Sequence, residues 1–209
     1  FTKTPYTPGE DFVGIVDAIG PGVTDFTIGQ RVAGWAFGQG SGYAEMIVRP
    51  AETLVSVPDG VAPVAAAAII TNYLTASLVL EKTAMVRPGE RLLIHGAAGG
   101  LGSALLQLGS LAGFEMFGTG SEKSIDFIAD NGAAPINYRT ENFVRRIREL
   151  TGDGVDVVID VVGGPCQLWR SSRCIRRDGR LVMLGMASIY KSGAAIIPLS
   201  LLTAGTVTL

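Results

Sequence analysis

The sequence predicts an α/β protein: a doubly wound parallel sheet, preceded by part of a small β domain. From residue 91 onward, short apolar runs rich in β-branched residues alternate with stretches of helical spacing, the pattern of a parallel sheet covered on both faces. Residues 1–60 show no helical period and are broken repeatedly by Gly and Pro. Glycine makes up 28 of the 209 residues, about twice the ~7% of an average chain, and in a globular sequence that means tight turns or close backbone approaches.

In the first part, Phe12–Ile19, Arg31–Trp35, Tyr43–Val48 and Thr53–Val57 read as strands. Turns are expected at Pro21-Gly22, Gly38–Gly42 and Pro58-Asp59-Gly60. The pattern changes at Val61, so the first domain is set at residues 1–61 and the second at 62–209. Ala62–Ala84, rich in Ala and Leu, reads as two helical pieces, ended by Pro88-Gly89. Leu92–His95 is then a strand and Gly99–Ala112 a helix, with Leu101, Leu105, Leu108 and Ala112 at helical spacing. Strands at Phe114–Thr119, Pro135–Tyr138, Val155–Val161 and Arg180–Leu184 alternate with helices at Ser124–Asn131, Asn142–Thr151 and Pro165–Ile175. Gly205–Leu209 starts a sixth strand.

Composition excludes several functions. A net charge of −2 and a pI near 5.4 leave no basic footprint for nucleic acid. Leu92–Phe114 carries no Asp, Glu, Lys or Arg and is long enough to span a bilayer. Its six glycines, His, Gln and two serines suit a buried strand–turn–helix instead, so no membrane partner is expected. Cys166 and Cys174, placed in one helix, stand roughly 12 Å apart at 1.5 Å per residue, too far for a disulfide. They read as buried free thiols of a reducing, cytoplasmic compartment. With two Cys and one His, a structural zinc site lacks ligands.

The chemistry concentrates at the first βα turn, Gly96-Ala97-Ala98-Gly99-Gly100-Leu101-Gly102. It is an A-x-G-x-x-G form of the dinucleotide fingerprint. Gly99 and Gly100 let the backbone approach a pyrophosphate, Gly102 lets helix and strand pack closely, and the phosphate charge meets the N–H groups of the helix start. About twenty residues on, where an acidic side chain usually bonds the ribose 2′-OH, the strand tip reads Thr119-Gly120-Ser121-Glu122-Lys123. Gly120 at that position, with Ser121 and Lys123 beside it, favours a 2′-phosphate and therefore NADPH. Glu122 keeps NADH open if the strand runs longer. His95, ending a buried strand, reads as structural.

With these motifs in order from end to end, the chain resembles the medium-chain dehydrogenase/reductase superfamily, nearest its zinc-independent quinone oxidoreductase (zeta-crystallin-like) branch. The resemblance rests on Pro8–Gly14, Gly29–Val32, Gly42–Glu45, Tyr73–Ala76, His95–Gly102, Ile136–Arg139, Gly154–Val158 and Gly185–Ser188. It implies a Rossmann domain after part of a GroES-like catalytic domain. It also implies that the chain is a fragment, without the start of the first domain and the return segment of the second. Zinc-bearing relatives have Pro-Gly-His-Glu where this chain has Glu10 at the His position and Asp11 at the Glu position, so no metal is expected. By the same resemblance, Thr75 lies near the nicotinamide, and Ala98, Gly99, Gly100 and Leu101 give backbone contacts to the pyrophosphate. Ser121, Lys123 and Tyr138 hold the 2′-phosphate. Val162, Leu184 and Gly185 stand at strand ends beside the nicotinamide.

The implied activity is hydride transfer from NADPH to a small quinone or α,β-unsaturated carbonyl without zinc, in a homodimer paired through Thr206–Leu209. No catalytic residue is assigned, although Tyr43 and Tyr73 are available phenols. Three alternatives stand beside it: an enoyl reductase domain of a polyketide or fatty-acid synthase, a non-catalytic NADPH-binding relative, and a fragment that binds nothing.

Overall fold

A computed structural model of the chain describes residues 5–36, 40–185 and 205–208. The predicted turn at Gly38–Gly42, the motif at Gly185–Ser188 and the strand Gly205–Leu209 therefore lie partly outside the described residues. Packing divides the chain into two compact units, Phe1–Leu74 and Thr75–Leu209. The division falls inside the first helix, later than residues 61/62. The residues before it are held in the first unit, where the Thr71 hydroxyl donates to the Asp11 carboxyl.

The first unit is an antiparallel sheet of three strands, β1 (Asp11–Ile15), β2 (Arg31–Trp35) and β3 (Leu54–Ser56), with β2 central. Val32 and Ala33 of β2 are buried. The strand expected at Tyr43–Val48 does not form. Its first residues bond the chain at Pro8 and Gly9, through Gly42 N–H to the Gly9 carbonyl and Tyr43 N–H to the Pro8 carbonyl. After that no described strand lies alongside, and Tyr43, Met46 and Val48 are exposed. β-propensity without a partner does not make a strand.

The helix α1 (Pro63–Leu78) continues without a break into a π turn at Val79–Thr83, where two separate pieces are expected from the sequence. Pro63–Thr83 is also the described helical stretch long and apolar enough to cross a membrane by length and composition. Leu92–Phe114, by contrast, folds as strand, turn and helix.

The second unit carries six strands in the order β6-β5-β4-β7-β8-β9. They are β4 (Arg91–His95), β5 (Glu115–Gly120), β6 (Ala133–Asn137), β7 (Val155–Asp160), β8 (Ile175–Met183) and β9 (Gly205–Thr208). The first five pair in parallel, and β9 runs antiparallel to β8. An antiparallel edge strand on a parallel sheet is a common addition. The intervening helices are α2 (Gly100–Leu111), α3 (Ile125–Asp130), α4 (Phe143–Thr151) and α5 (Pro165–Ser172). Leu92, Leu93 and Ile94 of β4 and Val157, Val158 and Ile159 of β7 are fully buried, as central parallel strands require.

Local chemistry sets the helix ends. The Asn142 side-chain oxygen Oδ1 accepts from the N–H groups of Val144 and Arg145 and caps α4, which stops at Gly152 with φ +79°. β8 starts five residues earlier than its sequence suggests. It pairs with β7 at Val155↔Ile175 and again at Val157↔Arg180, with a bulge between that holds Asp178 at φ +64°. Consequently α5 ends before Cys174. Cys174 is buried, its thiol pushed up to about 12 by burial, while Cys166 is exposed rather than buried as expected.

At the amino end of the sheet, Arg180 ties β8 to the loop before β4. Its guanidinium donates to both carboxyl oxygens of Glu90, at 3.0 and 2.5 Å, and to the carbonyls of Ala84 and Met85. Burial pushes the Glu90 carboxyl up, but Arg180 and the Arg87 N–H more than offset this and hold it below its ordinary value. Removing one partner of such a pair strands the other. Arg180→Leu is expected to destabilise the chain by about 3 kcal/mol in chemical denaturation, and Arg180→Leu combined with Glu90→Leu by clearly less. Equal losses would show that the pairing is not what matters.

Candidate functional site

β4 ends at His95, and the chain turns through Gly96–Gly99 into α2. Gly96 has φ +71°, a left-handed conformation that suits glycine. At Gly102 a Cβ would sit 2.2 Å from the Gly96 carbonyl oxygen and 2.7 Å from the Ala97 carbonyl, so only glycine lets α2 approach the turn this closely. No side chain caps α2, and its first turn carries no acidic residue. The N–H groups of that turn therefore present partial positive charge with no side chain to satisfy them, an arrangement suited to an anion.

The carboxyl ends of the neighbouring strands line up beside this turn. Ala97 N–H donates to the Thr119 carbonyl at 3.1 Å, joining the turn to the tip of β5. Tyr138 N–H donates to the Gly120 carbonyl at 3.2 Å, joining the tips of β5 and β6. On the other side, a Cβ on Gly96 would meet Val161 at 2.7 Å and Val162 at 3.3 Å. Leu184 and Gly185 N–H groups both donate to the Asp160 carbonyl, at 2.9 and 3.3 Å. Ala98, Gly99, Gly100, Leu101, Ser121, Lys123, Tyr138, Val162, Leu184 and Gly185 thus fall along one edge of the sheet. Thr75 lies on a different element, the last turn of α1, and the described hydrogen bonds do not tie it to this row.

At the β5 and β6 tips, Lys123 and Tyr138 are exposed. The Glu122 carboxyl accepts from the Asn137 side-chain N–H at 2.6 Å, so it is turned toward β6. Arg139 stands 6.0 Å from the Tyr138 ring centroid and adds a second cation to this corner. Arg139 lies in the Ile136–Arg139 motif, where the sequence assigns it no role. Its signal was the basic residue directly after the motif tyrosine.

His95 is buried, hydrogen-bonded to the Thr119 hydroxyl at 3.0 Å and packed edge-on against Phe143 at 4.7 Å. Burial lowers its pKa to about 4; the Asp160 carboxyl pulls the other way and Arg170 adds to the lowering. It is a neutral core residue, as its sequence position indicated. Asp160, its Cα partner on β7, has no role in the sequence reading, although an acid directly after the apolar run Val157–Ile159 was the available signal.

Among the described residues, no three His, Cys, Asp or Glu side chains gather to hold a metal.

The chain matches two family models, zinc-binding dehydrogenase over residues 100–209 and alcohol dehydrogenase GroES-like domain over residues 1–59. It is 36% identical over 184 residues to a quinone oxidoreductase of Sus scrofa, covering 87% of this chain and 55% of that one. It is 34% identical over 187 residues to a synaptic vesicle membrane protein VAT-1 homolog of Rattus norvegicus, covering 88% of this chain and 46% of that one. The structure of Escherichia coli quinone oxidoreductase complexed with NADPH superposes with a TM-score of 0.83 at 33% identity, over 95% of this chain and 60% of that one. The chain spans about half the length of the curated relatives it matches.

Two outcomes test the site's construction. Gly102→Ala is expected to lower Tm and shift the amide resonances of Gly96–Leu101, whereas Gly99→Ala, whose Cβ would sit 3.3 Å from the Gly96 oxygen, should do much less. His95 binds a proton more weakly in the folded than in the unfolded chain, so stability should fall as pH drops from about 6.5 to about 4. The loss is about 3 kcal/mol if the whole shift is expressed. Denaturation across this window checks it, and His95→Gln should remove that part of the slope.

Proposed function

The chain belongs to the medium-chain dehydrogenase/reductase superfamily, with the zinc-binding dehydrogenase fold in its quinone oxidoreductase-like form, and from that premise we propose that it binds NADPH and reduces a small quinone or α,β-unsaturated carbonyl without zinc. The observation that carries the reading is the uncapped, acid-free start of α2 pressed onto the turn at Gly102, in line with a basic corner at the tips of β5 and β6.

The residues fit the cofactor part by part. The α2 N–H groups at Gly100 and Leu101 would hold the pyrophosphate, with Ala98 and Gly99 bare enough for a close approach. Ser121, Lys123 and Tyr138, together with Arg139, would take the 2′-phosphate. Gly120 replaces the acid that would select a free ribose hydroxyl, and Glu122 is engaged by Asn137 rather than presented to a ribose. Val162, Leu184 and Gly185 would wall the nicotinamide and exclude water, with Thr75 contributing from α1. When bound, the nicotinamide supplies the hydride, while the protein orients it and shields it.

The zinc-free reading rests on donor chemistry. Glu10 and Asp11 replace the His-Glu pair of zinc-bearing relatives, and Asp11 already accepts the Thr71 hydroxyl. Substrate reduction then depends on hydrogen bonds or solvent to neutralise the developing enolate or phenolate. No side chain is assigned as the acid.

The test is NADPH oxidation by the full chain with 9,10-phenanthrenequinone and a simple enone, with and without a chelator. Oxidation that survives chelation and prefers NADPH to NADH supports the reading. Lys123→Ala should raise KM for NADPH by roughly tenfold and leave KM for NADH unchanged, the loss of about one charge-assisted contact. Tighter use of NADH would remove the cofactor assignment, and binding without oxidation would remove the reductase.

A further inference from the structure

We propose that Asp160 is a positioning residue of the cofactor face, holding the segments that follow β7 and β8 in one arrangement. The inference rests on the functional reading above for its purpose and on the structure for its geometry. Asp160 ends β7 and is fully buried. One of its carboxyl oxygens, Oδ1, accepts the N–H groups of Val162 and Gly163, both at 2.9 Å. Its backbone carbonyl accepts those of Leu184 and Gly185. Val162, Leu184 and Gly185, three residues expected beside the nicotinamide, thus all hang from one residue.

Gly163 and Gly164 sit at φ +73° and +104°, in backbone regions that glycine adopts freely and that impose no direction. The two segments also pass so closely that a Cβ on Gly185 would lie 1.8 Å from the Val161 carbonyl oxygen. An N–H group bonded to a carboxyl is held more strongly than one bonded to a neutral acceptor, and in a buried site it has no water to fall back on. The other carboxyl oxygen, Oδ2, has no protein partner, so Oδ1 carries the whole side-chain anchor.

The same strand supplies its own control. Asp156, four residues earlier and also buried, accepts the Arg91 N–H at 2.8 Å and pairs with Arg176. It ties β7 to its neighbours at the amino end of the sheet, away from the glycine turn. A purely structural carboxylate at either end should matter in the same way; a positioning one should not.

The experiment compares Asp160→Ala, Asp160→Asn and Asp156→Ala in the full chain. It reads amide exchange at Val162 and Gly163 together with NADPH affinity by fluorescence. Asp160→Ala should speed exchange at both amides and weaken NADPH by about tenfold. Asp160→Asn, which keeps a neutral acceptor oxygen in place, should restore most of both. Asp156→Ala should lower Tm and leave the NADPH Kd within about twofold of wild type. If Asp160→Ala does not fold, Asp160→Leu carries the same comparison, because it fills a similar volume and has no acceptor for the two N–H groups. Unchanged exchange, or an equal loss of affinity in Asp156→Ala, overturns the proposal. Failure of the wild-type chain to bind NADPH would overturn the functional reading instead, and the exchange comparison would still decide whether Asp160 holds the loops.

Discussion

A buried parallel strand satisfies its backbone through its neighbours, and it loses them all at its carboxyl end. In the second unit, β4 and β7 are buried on both faces and run to this limit side by side, at His95 and Asp160. Beyond that line the chain must either re-pair its N–H groups or leave them for something else. After β4, Ala97 and Gly99 re-pair theirs with Thr119 and Gly96, but the start of α2 leaves its own, because no side chain caps the helix. At β7 the chain re-pairs its N–H groups on the Asp160 carboxyl. The candidate site is the consequence of these two opposite solutions on adjacent strands.

Glycine makes the first solution possible. The contact between Gly102 and the Gly96 carbonyl brings the helix start down onto the strand end, so the dipole and the free N–H groups converge on one point. The tips of β5 and β6 extend that point into a row, through the Ala97–Thr119 and Tyr138–Gly120 bonds. Charge follows the same geometry. Lys123 and Arg139 sit at the far end of the row, while Glu122 is drawn aside by Asn137.

Much of this was legible beforehand. The strands β4, β5 and β7 and the helices α2 and α4 follow from apolar runs and helical spacing, and the phosphate turn from glycine placement after a strand. The misreadings share a physical origin. Tyr43–Val48 has strand composition but no described strand beside it. Ile175–Met183 has a charged, bulged middle that looks unlike a strand, yet it is held by β7 at both ends. Cys166 and Cys174 share one helix by local spacing, but α5 stops at Ser172. Each depends on a neighbour that no local window contains.

The sequence by itself determined the order of elements in the second unit, the fingerprint turn and the absence of an acid at Gly120, because periodicity, turn chemistry and residue identity are local properties. Tertiary structure alone decided that Glu122 is occupied by Asn137 and that Asp160 gathers Val162, Gly163, Leu184 and Gly185 around one residue. Those outcomes depend on strand register and on backbone N–H groups brought together from residues far apart in the chain, and a buried hydrogen-bonding group takes whichever partner the fold delivers within about 3 Å.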